Sequence, residues 1–143
     1  MFIKQVSVFL ENTTGSLEKL TRKVADAGID LYAMSIAETE HYGILRMIVS
    51  DTESCLTVLK EAGYTVRITD VLAVCVPDRP GGLADLLGVL REQDIAVEYL
   101  YSFVRAPGKH ALLTLYLSDL QEGLRVLKAA GVTLMSQEHL KEL

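Results

Sequence analysis

The sequence predicts an α+β fold made of two tandem βαββαβ units. Three observations carry that prediction. The chain repeats itself, since residues 58–65 read VLKEAGYT and residues 126–133 read VLKAAGVT, an offset of 68. Each copy alternates short β-rich runs with two segments whose apolar residues recur at helical spacing. A chain of 143 residues, 50% hydrophobic and 23% charged, has globular composition and length enough to bury a core.

The elements follow in order. Residues 2–10 are a β-rich run that ends in ENTTG. Residues 15–27 place Leu17, Leu20, Val24 and Ala27 at helical spacing, and Gly28 can close that helix. Residues 30–38 and 43–50 are strands with His41-Tyr42-Gly43 at the turn between them. Residues 52–62 form a second helix with Leu56, Leu59 and Ala62 on one face and Gly63 as its stop. Residues 64–69 are the fourth strand. The second copy repeats the series with strand 71–77, helix 82–93, strands 95–104 and 110–117, helix 119–130 and strand 132–136. The tail, 137–143, suits a short helical turn.

The front halves of the copies align at an offset of 66, with Val8 on Val74, Gly15 on Gly81, Leu17 on Leu83, Leu20 on Leu86 and Ile29 on Ile95. Ser50-Asp51 aligns with Ser118-Asp119 at 68, and Glu53 and Gln121 stand at the capping-box position after the two serines. A longer turn in the second copy, VRAPGKH against ETEHYG, fits the change of offset. The copies meet near Thr69-Asp70 without a Pro/Gly/Ser linker, so the expected domains are 1–69 and 70–143. The order is that of the split βαβ or ferredoxin-like unit, in which right-handed crossovers place both helices on one face of an antiparallel sheet.

Fourteen Lys and Arg against nineteen Asp and Glu give a net charge of −5. Nucleic acid and anionic membrane surfaces both call for a basic footprint, so neither is expected as a partner. No apolar run reaches the roughly 20 residues of a spanning helix, and the N-terminus lacks a basic n-region followed by a long apolar stretch. The expected location is the cytoplasm, with Cys55 and Cys75 as reduced core thiols. Residues 44–49 (ILRMIV), 71–76 (VLAVCV) and 111–117 (ALLTLYL) are apolar on both faces. A sheet with helices on one side only leaves the other face to be covered by the sister unit, another chain or a ligand, and a dimer is expected.

The segments that hold the distinctive polar residues lie between the first strand and first helix of each copy. They are Asn12, Thr13, Thr14, Gly15, Ser16 and Leu17, and Asp78, Arg79, Pro80, Gly81, Gly82 and Leu83. A helix N-terminus presents unpaired amides and a partial positive charge that suit a carboxylate. Asn12 and Asp78 can accept a hydrogen bond from an ammonium or can cap the helix, and the glycines can admit a ligand to the backbone or merely make a turn.

A βαββαβ unit with an Asp/Asn-x-Pro-Gly turn before an apolar helix resembles the ACT domain, a small-molecule-binding regulatory module. Over both repeats the chain resembles the stand-alone tandem ACT-domain proteins. DRPGGLADLLGVL at 78–90, IAVEYLYSF at 95–103 and GILRMIV at 43–49 are the stretches that carry it. Copy one departs from the motif, with Thr14 in the proline position and Ser16 after the glycine. The resemblance implies amino-acid binding at interfaces between units, with the turn of one unit facing a strand of its neighbour, and pairing of units into an eight-stranded sheet. By position it adds Ser35, Ile36, Tyr101 and Ser102 on the facing strand. It further implies a non-catalytic regulatory protein without cofactor, a homodimer whose ligand state is read by a metabolic enzyme or regulator.

Other chemistries find less support. His41, His110 and His139 have no metal-ligand spacing. Acylphosphatase chemistry needs a positioned Arg and a catalytic Asn in a glycine-rich phosphate loop, and only Arg79 is present in the second copy. RNA binding through an RRM-like sheet lacks the aromatic motif and the charge. Tyr99, Tyr101 and Phe103 alternate along one strand and share a face, as packing residues or as an apolar wall for a ligand. The alternative function is a ligand-free docking module that serves as a subunit of a metabolic enzyme or regulator.

Overall fold

A strand with no Gly, Asn or Pro in its middle need not stop at a domain boundary. In the computed structural model, which describes residues 1–106 and 108–143, the run VRITDVLAVCVP is one continuous strand, Val66–Pro77. The expected strands 64–69 and 71–77 are therefore a single element, because Asp70 is followed directly by another β-rich run, with no Gly or Asn to turn the chain. The order is β1 (Ile3–Glu11), α1 (Ser16–Asp26), β2 (Leu31–Glu38), β3 (Tyr42–Val49), α2 (Thr52–Glu61) and β4 (Val66–Pro77). It continues with α3 (Gly82–Glu92), β5 (Val97–Ser102), β6 (His110–Leu117), α4 (Leu120–Ala129), β7 (Thr133–Met135) and α5 (Gln137–Leu140). Seven strands stand among the described residues where eight were expected, and the fusion in β4 is the reason. Pro107, inside the longer turn VRAPGKH, lies outside the described residues.

The chain divides into two compact units, Lys4–Thr69 and Met1–Ile3 with Asp70–Leu143. In the first, β3 lies between β2 and β1, both antiparallel, and β1 continues toward the start of β4 through the Phe9 N–H, which donates to the Thr65 carbonyl at 3.2 Å. Val6, Val8, Leu10, Leu45 and Met47 on the sheet pack with Leu20, Val24, Cys55 and Leu59 from α1 and α2. In the second, β6 lies between β5 and β4, and β7 pairs with the far side of β4. Leu72, Val74, Val76, Leu113 and Leu115 pack with Leu86, Leu90, Val126 and Leu127, and Phe2 joins this core although it stands at the other end of the sequence. The alternation is period two on each strand, so one face meets the helices. The face away from the helices is also buried at Ala33 and Ile48 in the first unit and at Val71, Ala73, Leu112 and Thr114 in the second.

The repeat extends to local irregularities. Ser35 pairs with Arg46 and Tyr101 with Thr114, so the offset passes from 66 on β2/β5 to 68 on β3/β6, across the turn that differs in length. Both edge strands shift register two residues from their starts, between Leu31 and Ala33 and between Val97 and Tyr99. Asp51 and Asp119, rather than the serines before them, cap α2 and α4 by accepting the N–H of Ser54 and Glu122, both at 3.0 Å. Ser50 and Ser118 instead accept the N–H of Asp30 and Ala96 at 2.8 and 2.9 Å, tying the start of each second strand to the end of the third.

Candidate ligand-binding site

The two polar turns fold alike. Asn12 N–H donates to His41 at 3.4 Å and Asp78 N–H to Lys109 at 3.1 Å, which extends each first strand by one bond. The Ser16 N–H then donates to Thr13 at 3.2 Å and the Gly82 N–H to Arg79 at 3.0 Å, closing a four-residue turn. Its third residue is Gly15 (φ 86°, ψ −7°) or Gly81 (φ 87°, ψ −8°), the conformation of a type II turn, which favours proline one place earlier. Pro80 takes that place in the second copy, and Thr14 takes it without altering the turn in the first. The adjacent Gly82 has a different cause, since a Cβ there would lie 2.2 Å from the Pro77 carbonyl oxygen. The backbone itself accounts for these glycines, and the sequence reading that they admit a ligand is not needed to explain them.

Neither Asn12 nor Asp78 caps a helix. The N-caps are Gly15 and Gly81, without a side-chain hydrogen bond, and among the described residues the exposed Asn12 and Asp78 side chains have no partner. Thr13 and Ser16 bond to each other through their hydroxyls. Arg79 reaches back to Asp85, Nη2 to Oδ2 at 2.9 Å, and to the Pro80 carbonyl at 3.1 Å. Leu83 is half-buried against the core, whereas Leu17 is exposed.

The four strand residues lie elsewhere in their units. Ser35 stands opposite Arg46, itself opposite Ser7, and Asn12 follows Ser7 by five residues, just past the end of β1, roughly 16 Å at strand rise. Tyr101, Thr114 and Ala73 repeat this row, with Asp78 as far beyond. Ser35 and Ile36 are on the edge strand β2, and Ser102 is exposed on the edge strand β5. Tyr101 and Phe103 are buried, and Tyr99 stacks on Tyr116 with centroids 5.1 Å apart, which is packing geometry.

Each turn borders a cavity that the sequence did not announce. The first, about 350 Å³, lies between the end of β1, the first turn of α1 and residues 62–65. The second, about 340 Å³, is built from the equivalent end of β4, the first turn of α3 and residues 130–133. Lys19 and Asp85 are therefore site-lining residues that the analysis of the turns missed, although both lie one helical turn past the glycine caps. Among the described residues no group of three or more His, Cys, Asp or Glu could hold a metal ion, and no helix is long and apolar enough to cross a membrane.

A family model described as ACT domain pair matches residues 1–143. A crystal structure of a Bacteroides thetaiotaomicron protein is similar at 38% identity and TM-score 0.93, covering 100% of this chain and 98% of that one. The regulatory subunit of aspartate kinase from Thermus thermophilus shares the fold at 12% identity and TM-score 0.64, covering 89% and 91% of the two chains. Its counterpart from Thermus flavus does so at 13% identity and TM-score 0.61, covering 90% and 92%. No curated protein matches the sequence significantly.

Proposed function

The chain belongs to the family of ACT domain pairs, and from that premise we propose that it is a non-catalytic regulatory protein that binds an amino acid or a similar small carboxylate. The domains are 1–69 and 70–143. The ligand lies between units, held by a turn (12–17 or 78–83) and by the edge strand of a neighbouring unit at 35–36 or 101–102. Two chains associate, and edge pairing of units extends their sheets to eight strands. A metabolic enzyme or regulator reads the arrangement that the ligand favours, which requires the ligand to prefer one arrangement over the other.

One observation carries this reading. The same turn recurs in both units with a polar side chain, Asn12 or Asp78, that neither caps a helix nor bonds to any described residue. A side chain kept polar at a repeated position without an internal task is available to a ligand's ammonium. The fold shared with aspartate-kinase regulatory subunits accords with that role.

The test is a thermal-shift screen of the full chain against the standard amino acids and common keto acids. A selective rise in Tm, lowered in Asn12→Ala or Asp78→Ala, is the expected result, since a ligand of the native state stabilises it. No rise with any compound at millimolar concentration would displace this reading in favour of a ligand-free docking module.

A further inference from the structure

We infer that the two cavities are not equivalent and that the first, beside Lys19, is the one that takes a small organic carboxylate with an apolar body. This rests on the ligand class proposed above and adds where the carboxylate sits. Alternate residues of an antiparallel strand turn their main-chain groups to opposite sides. Asn12 bonds to β3, so Phe9 and Glu11 present theirs to the other side, where Phe9 donates to Thr65. The chain before Thr65 turns away at Gly63, whose φ is 91°. The Glu11 N–H is thereby left at the cavity wall without a partner among the described residues. Lys19, from α1, also lines this cavity and makes no ion pair among the described residues.

The second cavity has the same frame and different donors, an acidic residue lining each, Glu11 in the first and Asp85 in the second. Pro77 takes the place of Glu11, and proline has no N–H to offer. Asp85 takes the place of Lys19, an anion that Arg79 already holds at 2.9 Å. A carboxylate in the first cavity accepts from an amide and an ammonium together. In the second it meets neither a free amide at that wall nor an unpaired cation. Phe9, Leu10 and Tyr64 line the rest of the first cavity and suit an apolar body. The repeat that departs from the turn motif is thus the better equipped for the carboxylate.

The experiment is a titration of the ¹⁵N-labelled full chain with L-leucine and with isocaproate, its analogue without the ammonium, followed by amide chemical shifts. Both compounds should move Glu11, Gly63 and Tyr64 and leave Gly131 and Val132 in place. Glu11→Pro, which copies the natural Pro77, and Lys19→Met should each weaken binding about tenfold, the loss of one charge-assisted hydrogen bond. Equal shifts at Gly131 and Val132, or unchanged affinity in Lys19→Met, would overturn the inference. Shifts confined to residues 12–17, 78–83 and the edge strands would overturn it while leaving the proposed function standing. Shifts nowhere would overturn both.

Discussion

At Thr114 the second unit carries a buried polar atom with no partner among the described residues. The residue is fully buried in the middle of β6. A buried hydroxyl left unpaired costs about 1–3 kcal/mol, so Thr114→Val, equal in shape, should stabilise the protein by about 1 kcal/mol. A raised urea midpoint at constant slope is the expected reading, and a lowered midpoint would mean that the hydroxyl has a partner after all. Cys55 shows burial acting on an ionisable group. Burial first, and the Asp51 carboxylate second, push its thiol up from 9.0 to about 11. The fold therefore favours the neutral thiol, a contribution fully present below pH 9.0 and lost as pH rises toward about 11. The stability difference between wild type and Cys55→Ala should shrink over that interval in urea titrations, and a constant difference would refute the assignment. The burial of Cys55 was legible in its apolar sequence context, whereas the unpaired hydroxyl of Thr114 was not. Thr114 reads there as one more β-former in ALLTLYL, and the charge reversal from Lys19 to Asp85 has no meaning until the cavities are seen.

Elements are where the sequence spoke most clearly, because strand and helix periods and turn chemistry are local. The helix starts are a measured example. Ser50-Asp51 and Ser118-Asp119 announced two helix N-termini, and the helices begin there, yet the aspartates do the capping and the serines bond to the backbone of Asp30 and Ala96, some twenty residues upstream. Either residue type satisfies a helix N-terminus, and only the path of the preceding chain decides which one faces it. Asp51→Ala and Asp119→Ala should each cost about 1 kcal/mol by urea denaturation, whereas Gln121→Ala, at the position a capping box would use, should change stability by less than about 0.5 kcal/mol. A loss in Gln121→Ala equal to that in Asp119→Ala would restore the capping box. The turns before α1 and α3 follow the same logic. Gly15 and Gly81 were legible as turn residues, but the close approach that excludes a side chain at Gly82 comes from the Pro77 carbonyl, a contact with the residue five places back that no spacing rule predicts.

For the whole molecule the repeat fixed the class, two βαββαβ-like units, because matched irregularities recur at matched positions: the register shifts, the glycine caps and the aspartate caps. What the repeat could not show is which unit the first residues serve. The expected division at Thr69-Asp70 falls inside β4, and the first three residues count with the second unit, whose core Phe2 joins. Self-comparison aligns like with like, so a residue that serves the other copy is invisible to it. This gives Phe2 a task that Val6, Val8 and Leu10 of β1, which pack in the core of the first unit, do not share. Phe2→Ala removes a half-buried aromatic from the core of Leu72, Val74, Leu113 and Leu115, and should cost about 2 kcal/mol, below the 3–5 of a fully buried Phe. The loss should be unevenly placed. Hydrogen exchange should quicken at the amides of β6, which lies in the second unit, while those of β3 in the first keep more of their protection. Faster exchange in β3 than in β6 would assign Phe2 to the first unit, as its place in the sequence suggests, and would refute the crossing of the chain between cores.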